Sequence, residues 1–285
     1  MRSKLLGLVK RFIHRLGASP RGAKLLRLAA EEYAISEAGK ATRAADPALR
    51  AALAPVVLRG PFAGLQYPEH GAVGSTYWPK LLGAYECELA PTIEALIAKS
   101  YSHVLDIGAA EGYYAVGLAR RLPTARVIAF EGSPKGQRLL HAMAVKNGAD
   151  DRIRIEGWCD LRALRNIAPT FPPGRTLLIC DAESSEYDLL DPAAVPELAR
   201  WDMLVELHRR SSIGDPRSWA TRTFQSTHAV SFIDAEPRLP SAYPELRVLP
   251  SEHRAGVLLE RTDPFGWALL ESRGAGNPPG HRAGS

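Results

Sequence analysis

Acidic residues are missing from the first thirty positions, and that absence redistributes the charge of the whole chain. Residues 1–30 hold eight Lys or Arg, so the rest carries 28 basic against 31 acidic residues and is slightly acidic despite a net charge of +5. A groove that tracks nucleic-acid phosphates needs clustered cations. The body of the chain lacks them, and nucleic acid is not an expected partner. Long apolar runs are also missing: nothing approaches the ~20 residues that cross a bilayer. Cysteine is scarce, and Cys87, Cys159 and Cys180 are widely spaced and odd in number, which excludes a disulfide framework and a zinc knuckle. The expected setting is therefore reducing and cytoplasmic. Aromatics reach only 7%, yet 46% of the 285 residues are hydrophobic, enough for one sizeable α/β core and a smaller appendage.

A further absence falls inside the most informative stretch. Residues 103–114 read as a short apolar strand, Asp106, glycines at 108 and 112, and the apolar-periodic start of a helix. Glycine at those positions lets a ligand approach the backbone, and the amides opening the helix point toward the same crevice. A dinucleotide site wants G-x-G-x-x-G, but Gly108-Ala109-Ala110-Glu111-Gly112 lacks the middle glycine. Asp106 before the loop and Glu111 within it repel a pyrophosphate. They suit a ligand with a cationic end and no phosphate, such as S-adenosylmethionine, with its positive amino group and sulfonium. The next strand, from Arg126, ends in Glu131, about twenty residues beyond the loop, the spacing at which a carboxylate reaches ribose hydroxyls.

These stretches resemble class I S-adenosylmethionine-dependent methyltransferases, and within them the FkbM-type O-methyltransferases. The resemblance runs from about Gly83 to His208. It rests on Gly83-Ala84-Tyr85-Glu86, Asp106-Ile107-Gly108-Ala109 with Gly112-Tyr113-Tyr114, Ala129-Phe130-Glu131-Gly132-Ser133-Pro134, and Cys180-Asp181-Ala182-Glu183 followed by Glu186. Ala110 stands where the family usually has Asn, and Ser184 where it usually has Gly. The resemblance implies cofactor contacts from Asp106, Gly108, Ala109, Gly112, Glu131, Gly132 and Asp181. At the end of the third strand it places residues around the adenine, so Asp160 is expected to accept from the exocyclic amine and Trp158 to pack nearby, unless Trp158 is core.

Strand signals near 103–107, 126–131, 152–157, 176–181 and 202–207 alternate with helical segments, which predicts a Rossmann-like, doubly wound, mostly parallel seven-stranded sheet. His228 to Asp234 and Gly256 to Arg261 read as its last two strands. The expected organisation is a basic helical extension over 1–53, a covering segment over 54–88, a cofactor-binding domain over 89–273 and a disordered Gly/Pro-rich tail over 274–285. Within the extension, Leu5, Val9, Phe12, Ile13 and Leu16 recur at helical spacing, with Lys4, Lys10, Arg11 and Arg15 mostly on the other side. Reversible attachment of residues 1–30 to an anionic membrane, a transit peptide and a helix packed on the catalytic domain are all open readings.

Methyl transfer is an in-line displacement at a carbon the sulfonium already activates, so the protein must align the nucleophile and help remove its proton. Asp181, Glu206 and His208, at the ends of the fourth and fifth strands, are the catalytic candidates. His208 titrates near neutrality and suits a general base, and Glu206 shares its strand face. The three can also hold a divalent ion, although no fixed ligand spacing supports a metal. Tyr85 and Glu86 either close over the cofactor or open a helix, and one of Tyr113 and Tyr114 is expected to line the pocket. The expected activity is O-methylation of a hydroxyl on a sugar, glycolipid or secondary metabolite, with a small-molecule or glycan acceptor. The alternatives are a non-catalytic cofactor-binding or interaction protein and an NAD-dependent oxidoreductase. No residue pattern reads out the acceptor or the oligomeric state.

Overall fold

The computed structural model describes residues 20–69, 71–73, 75–260 and 265–274, with side chains from residue 36 onward. The expected amphipathic stretch at 5–16 and most of the expected tail lie outside these residues. The chain forms two compact units, one running through Leu53 and joined by Arg238–Asp263, the other made of Ala54–Pro237 and the chain from Pro264.

The larger unit is built on a seven-stranded sheet: β1 (His103–Ile107), β2 (Arg126–Phe130), β3 (Ile153–Glu156), β4 (Thr176–Cys180), β5 (Asp202–Glu206), β6 (His228–Ile233) and β7 (Trp267–Ser272), in the order β3-β2-β1-β4-β5-β7-β6. The first five strands are parallel, and β7 runs antiparallel to both β5 and β6. This is the doubly wound, Rossmann-like fold expected of a class I methyltransferase. Strands β4 and β5 are buried at every position, as a parallel strand covered on both faces must be. Their Leu-, Ile- and Val-rich sequences pack among Phe171, Trp201 and Phe224, all nearly or fully buried. Strand order reverses between β1 and β4, with β2 and β3 added on one side and β4 and β5 on the other, so a crevice opens outside the carboxyl ends of those two parallel strands, the place where open α/β sheets bind ligands.

In the smaller unit a long helix, Pro20–Ala52, packs along a short one, Ser251–Val257. Gly256 makes the approach possible, since a Cβ there would lie 2.6 Å from Ala41 Cβ. Where a strand is expected from Gly256 to Arg261, Gly256 and Val257 end the short helix, and the seventh strand begins instead at Trp267. Val257-Leu258-Leu259 is an apolar run too short for periodicity to separate a strand from a buried helical turn. The larger unit begins at Ala54 and omits 238–263, so it does not coincide with the single stretch expected over 89–273. No helix among the described residues is long and apolar enough to cross a membrane.

Candidate functional site

The glycine loop joins β1 to a helix spanning Tyr113–Arg121. Gly108 has φ +88, and a Cβ on it would fall 1.7 Å from the carbonyl oxygen of Asp181. The residue must therefore be glycine for two strand ends to meet, and not only to admit a ligand. Gly112, at φ +97, opens the helix in a left-handed conformation. Between them Ala110 also sits at positive φ, +50, without the short polar side chain that makes this conformation cheaper for Asn. Glu131 braces the loop: Oε2 accepts from the Ala110 amide at 2.8 Å and Oε1 from the Ser133 amide at 2.6 Å. Each carboxylate oxygen keeps a further lone pair for a ligand.

A cavity of about 430 Å³ lies over these strand ends, within the range of cofactor pockets. Of the expected cofactor residues, Gly108, Ala109, Glu131, Gly132, Trp158 and Asp181 line it. Trp158 is 72% exposed, so it is a cavity wall and not core. Its ring lies against Gly132, where a Cβ would meet Cε3 at 2.7 Å. Asp106 and Gly112 lie behind the lining. Asp160 is not in the wall either; its Oδ1 accepts from the Ala163 amide at 2.7 Å and caps the helix Leu161–Ile167. A carboxylate just before a helix is held by the first free amides, and here that demand takes the side chain expected at the adenine.

Glu111 also differs from expectation. It is buried and receives Lys80 Nζ at 2.6 Å, the Val73 amide at 3.0 Å and the Tyr67 hydroxyl at 3.3 Å. Its charge is neutralised inside the protein and does not repel a ligand. Asp106 is also buried, and burial, then the nearby Asp181 charge, push its carboxyl up to about 7. Its Oδ2 is buried without a hydrogen-bond partner among the described residues.

The catalytic candidates do come together. His208 Nε2 lies 3.5 Å from Asp181 Oδ1, 3.7 Å from Glu206 Oε1 and 3.7 Å from Glu183 Oε2. On the other side of the ring, Glu186 Oε1 lies 3.3 Å from Nδ1 and accepts the His208 amide at 3.0 Å, while the Tyr187 hydroxyl donates to the His208 carbonyl. Burial pulls the imidazole pKa down, but Glu186 first, with Asp181 and Glu183, outweighs it and raises the value above normal. Glu186 is the part that sequence reasoning missed as a brace. It is fully buried, and only the fold brings its short helix, Glu186–Leu189, under His208. Glu206 and His208 lie outside the cavity wall, with Asp181 as the member that reaches it.

Glu183 and Ser184, at the rim, have φ +49 and +77. A side chain in this region costs about 1 kcal/mol relative to glycine. Ser184→Gly is expected to raise thermal stability by about that amount, read by calorimetry; no gain would mean that the Ser184 hydroxyl, 3.5 Å from the Arg209 carbonyl, offsets the backbone cost.

No protein-family model matches the sequence, and no curated protein matches it. Among solved structures, an O-methyltransferase from Bacillus cereus in complex with SAH aligns at 17% identity over 54% of this chain and 82% of that one, with a TM-score of 0.40. The O-methyltransferase TomG from Streptomyces achromogenes, in complex with SAM, aligns at 16% identity over 64% and 81%, with a TM-score of 0.43. Cofactor-bound Rv0187 from MTB aligns at 18% identity over 82% and 90%, with a TM-score of 0.41.

Proposed function

We propose that the protein is an S-adenosylmethionine-dependent O-methyltransferase of the FkbM type, acting on a hydroxyl of a sugar, glycolipid or secondary metabolite. The observation that carries the reading is Glu131, which lines the cavity at the end of β2 while its carboxylate holds the glycine loop through the Ala110 amide. Its remaining lone pairs suit the two ribose hydroxyls, and Trp158 beside it offers an exposed face for the adenine. Asp181 and the carboxylate-rich end of β4 favour a cationic sulfonium over a pyrophosphate. Isothermal titration with S-adenosylmethionine, S-adenosylhomocysteine and NAD tests the pocket. Binding of the first two alone supports the reading, and binding of NAD alone overturns it. Binding without methyl transfer across a broad hydroxyl panel turns it to a non-catalytic cofactor-binding protein.

In this reading His208 takes the acceptor's proton through Asp181, with Glu186 fixing the ring through Nδ1. His208→Gln is expected to lower kcat by about 10²- to 10⁴-fold, the usual range for a lost general base. Affinity for S-adenosylhomocysteine should stay unchanged, because His208 lies outside the cavity wall. A second role has its own observation. Asp181, Glu206 and His208 each present a donor atom within 4.8 Å of the others, a mixed O/N set that suits a divalent ion. Such an ion would lower the pKa of the acceptor hydroxyl. Activity that survives a chelator assigns His208 as the base; activity lost to chelation and restored by Mg²⁺ or Mn²⁺ assigns the ion.

A further inference from the structure

One wall of the cavity contains a cation that the methyl-transfer chemistry does not use. Lys80, on the short helix Tyr77–Leu82, has a side chain only 3% exposed, yet it lines the cavity together with Ser75, Tyr85 and Tyr113. It is the single cationic residue in the wall among the described residues, whereas Glu131, Asp181 and Glu183 supply acids. Its ammonium donates to Glu111 Oε1 at 2.6 Å and stands 4.7 Å from the ring centre of Tyr85 and 5.4 Å from that of Tyr113. Aromatic faces attract a cation but do not accept its N–H groups as an anion does. Glu111 is the only hydrogen-bond acceptor of the ammonium among the described residues, so two of its three donors remain for a ligand.

Burying a lysine is costly unless its charge is balanced and used. Glu111 balances it, and Glu111 is itself immobilised by the Val73 amide and the Tyr67 hydroxyl. The ammonium is therefore held in a fixed place at the glycine-loop side of the cavity, while Glu131, Gly132 and Trp158 form the nucleoside side.

Resting on the S-adenosylmethionine reading above, we propose that Lys80 is the subsite for the α-carboxylate of the cofactor's amino-acid end, with Glu111 positioning it. The sequence hides this. Lys80 belongs to the covering segment before the sheet and carries no motif, and Glu111 reads as a ligand-facing acid until its partner is seen.

The test compares S-adenosylhomocysteine with its decarboxylated analogue, which lacks only the carboxylate, by isothermal titration. Wild type should bind the complete ligand at least about tenfold more tightly, the scale of one charge-assisted hydrogen bond. Lys80→Met alone would strand the buried Glu111 charge, so the informative variant is Lys80→Met with Glu111→Gln. In that folded variant the preference should collapse to about twofold or less, with the analogue bound as in wild type. If wild type fails to distinguish the two ligands, or if the double variant keeps the preference or loses both ligands equally, the assignment is overturned. The ligand comparison on wild type needs no variant to fold. Failure of wild type to bind either ligand would instead remove the cofactor reading itself.

Discussion

Glu131→Ala is expected to lower affinity for S-adenosylhomocysteine by roughly ten- to hundredfold, the loss of a charge-assisted hydrogen bond worth about 1.5 to 3 kcal/mol. Two effects contribute, and they can be separated. The first is loss of the ribose contact proposed above. The second is structural: the Ala110 and Ser133 amides lose the carboxylate that accepts them at 2.8 and 2.6 Å, and Ala110 is held at a positive φ that its side chain disfavours. Freed from that brace, the loop has reason to relax toward negative φ and to spoil the cavity even for a ligand without a ribose. Glu131→Gln retains the shape but offers one of the two amides a second donor in place of an acceptor, so it should fall between wild type and alanine in both affinity and thermal stability. Titration and calorimetry on the same samples check this. Undiminished affinity in a folded Glu131→Ala protein would refute the ribose assignment.

Asp106→Asn should become progressively more stable relative to wild type as pH rises from about 4 to 7. The folded protein holds the Asp106 proton up to about pH 7, because burial and then Asp181 oppose its ionisation. In the unfolded chain the same carboxyl loses its proton near its ordinary value of about 4. Between those limits the unfolded state binds fewer protons, so this group makes wild-type stability fall as pH rises, and the loss levels off above about 7. Asparagine does not titrate. The stability difference between variant and wild type should therefore widen in the variant's favour across that window by up to about 4 kcal/mol, the linkage limit for a displacement of roughly three pH units. Denaturant unfolding at pH 4, 5.5 and 7.5 measures it. A difference independent of pH would show that Asp106 ionises as an ordinary surface acid does.

The strands were legible because their signal is local. β1 to β6 stand within a residue or so of the apolar runs that announce them, and the spacing from the glycine loop to Glu131 is set by one helix and one strand. The last strand was not, since Val257-Leu258-Leu259 satisfies a strand and a helix end equally, and what decides is the contact of Gly256 with Ala41, more than 200 positions away in sequence. The site shows the same division. Asp181, Glu206 and His208 converge as their positions at neighbouring strand ends require. Side chains whose partners lie on other elements escaped: Glu111 is claimed by Lys80, Asp160 by a helix cap, and Glu186 reaches His208 from beneath. A carboxylate in a motif announces only that it will find a donor. Which donor is a property of the fold.

The excursion at 238–263 bears on how the chain must be made and cut. Its helix finds its partner in the segment that ends at Leu53, so that small unit is stitched from pieces separated by residues 54–237. Closing so long a loop is entropically late work, and during synthesis the helix Pro20–Ala52 waits for the Ser251–Val257 helix until nearly the whole chain has emerged. A shortened protein that discards the first 53 residues alone would leave the second piece in the same condition permanently. Trimming that respects the architecture removes both pieces and bridges Pro237 to Pro264 with a short turn, which returns β6 and β7 to a plain hairpin.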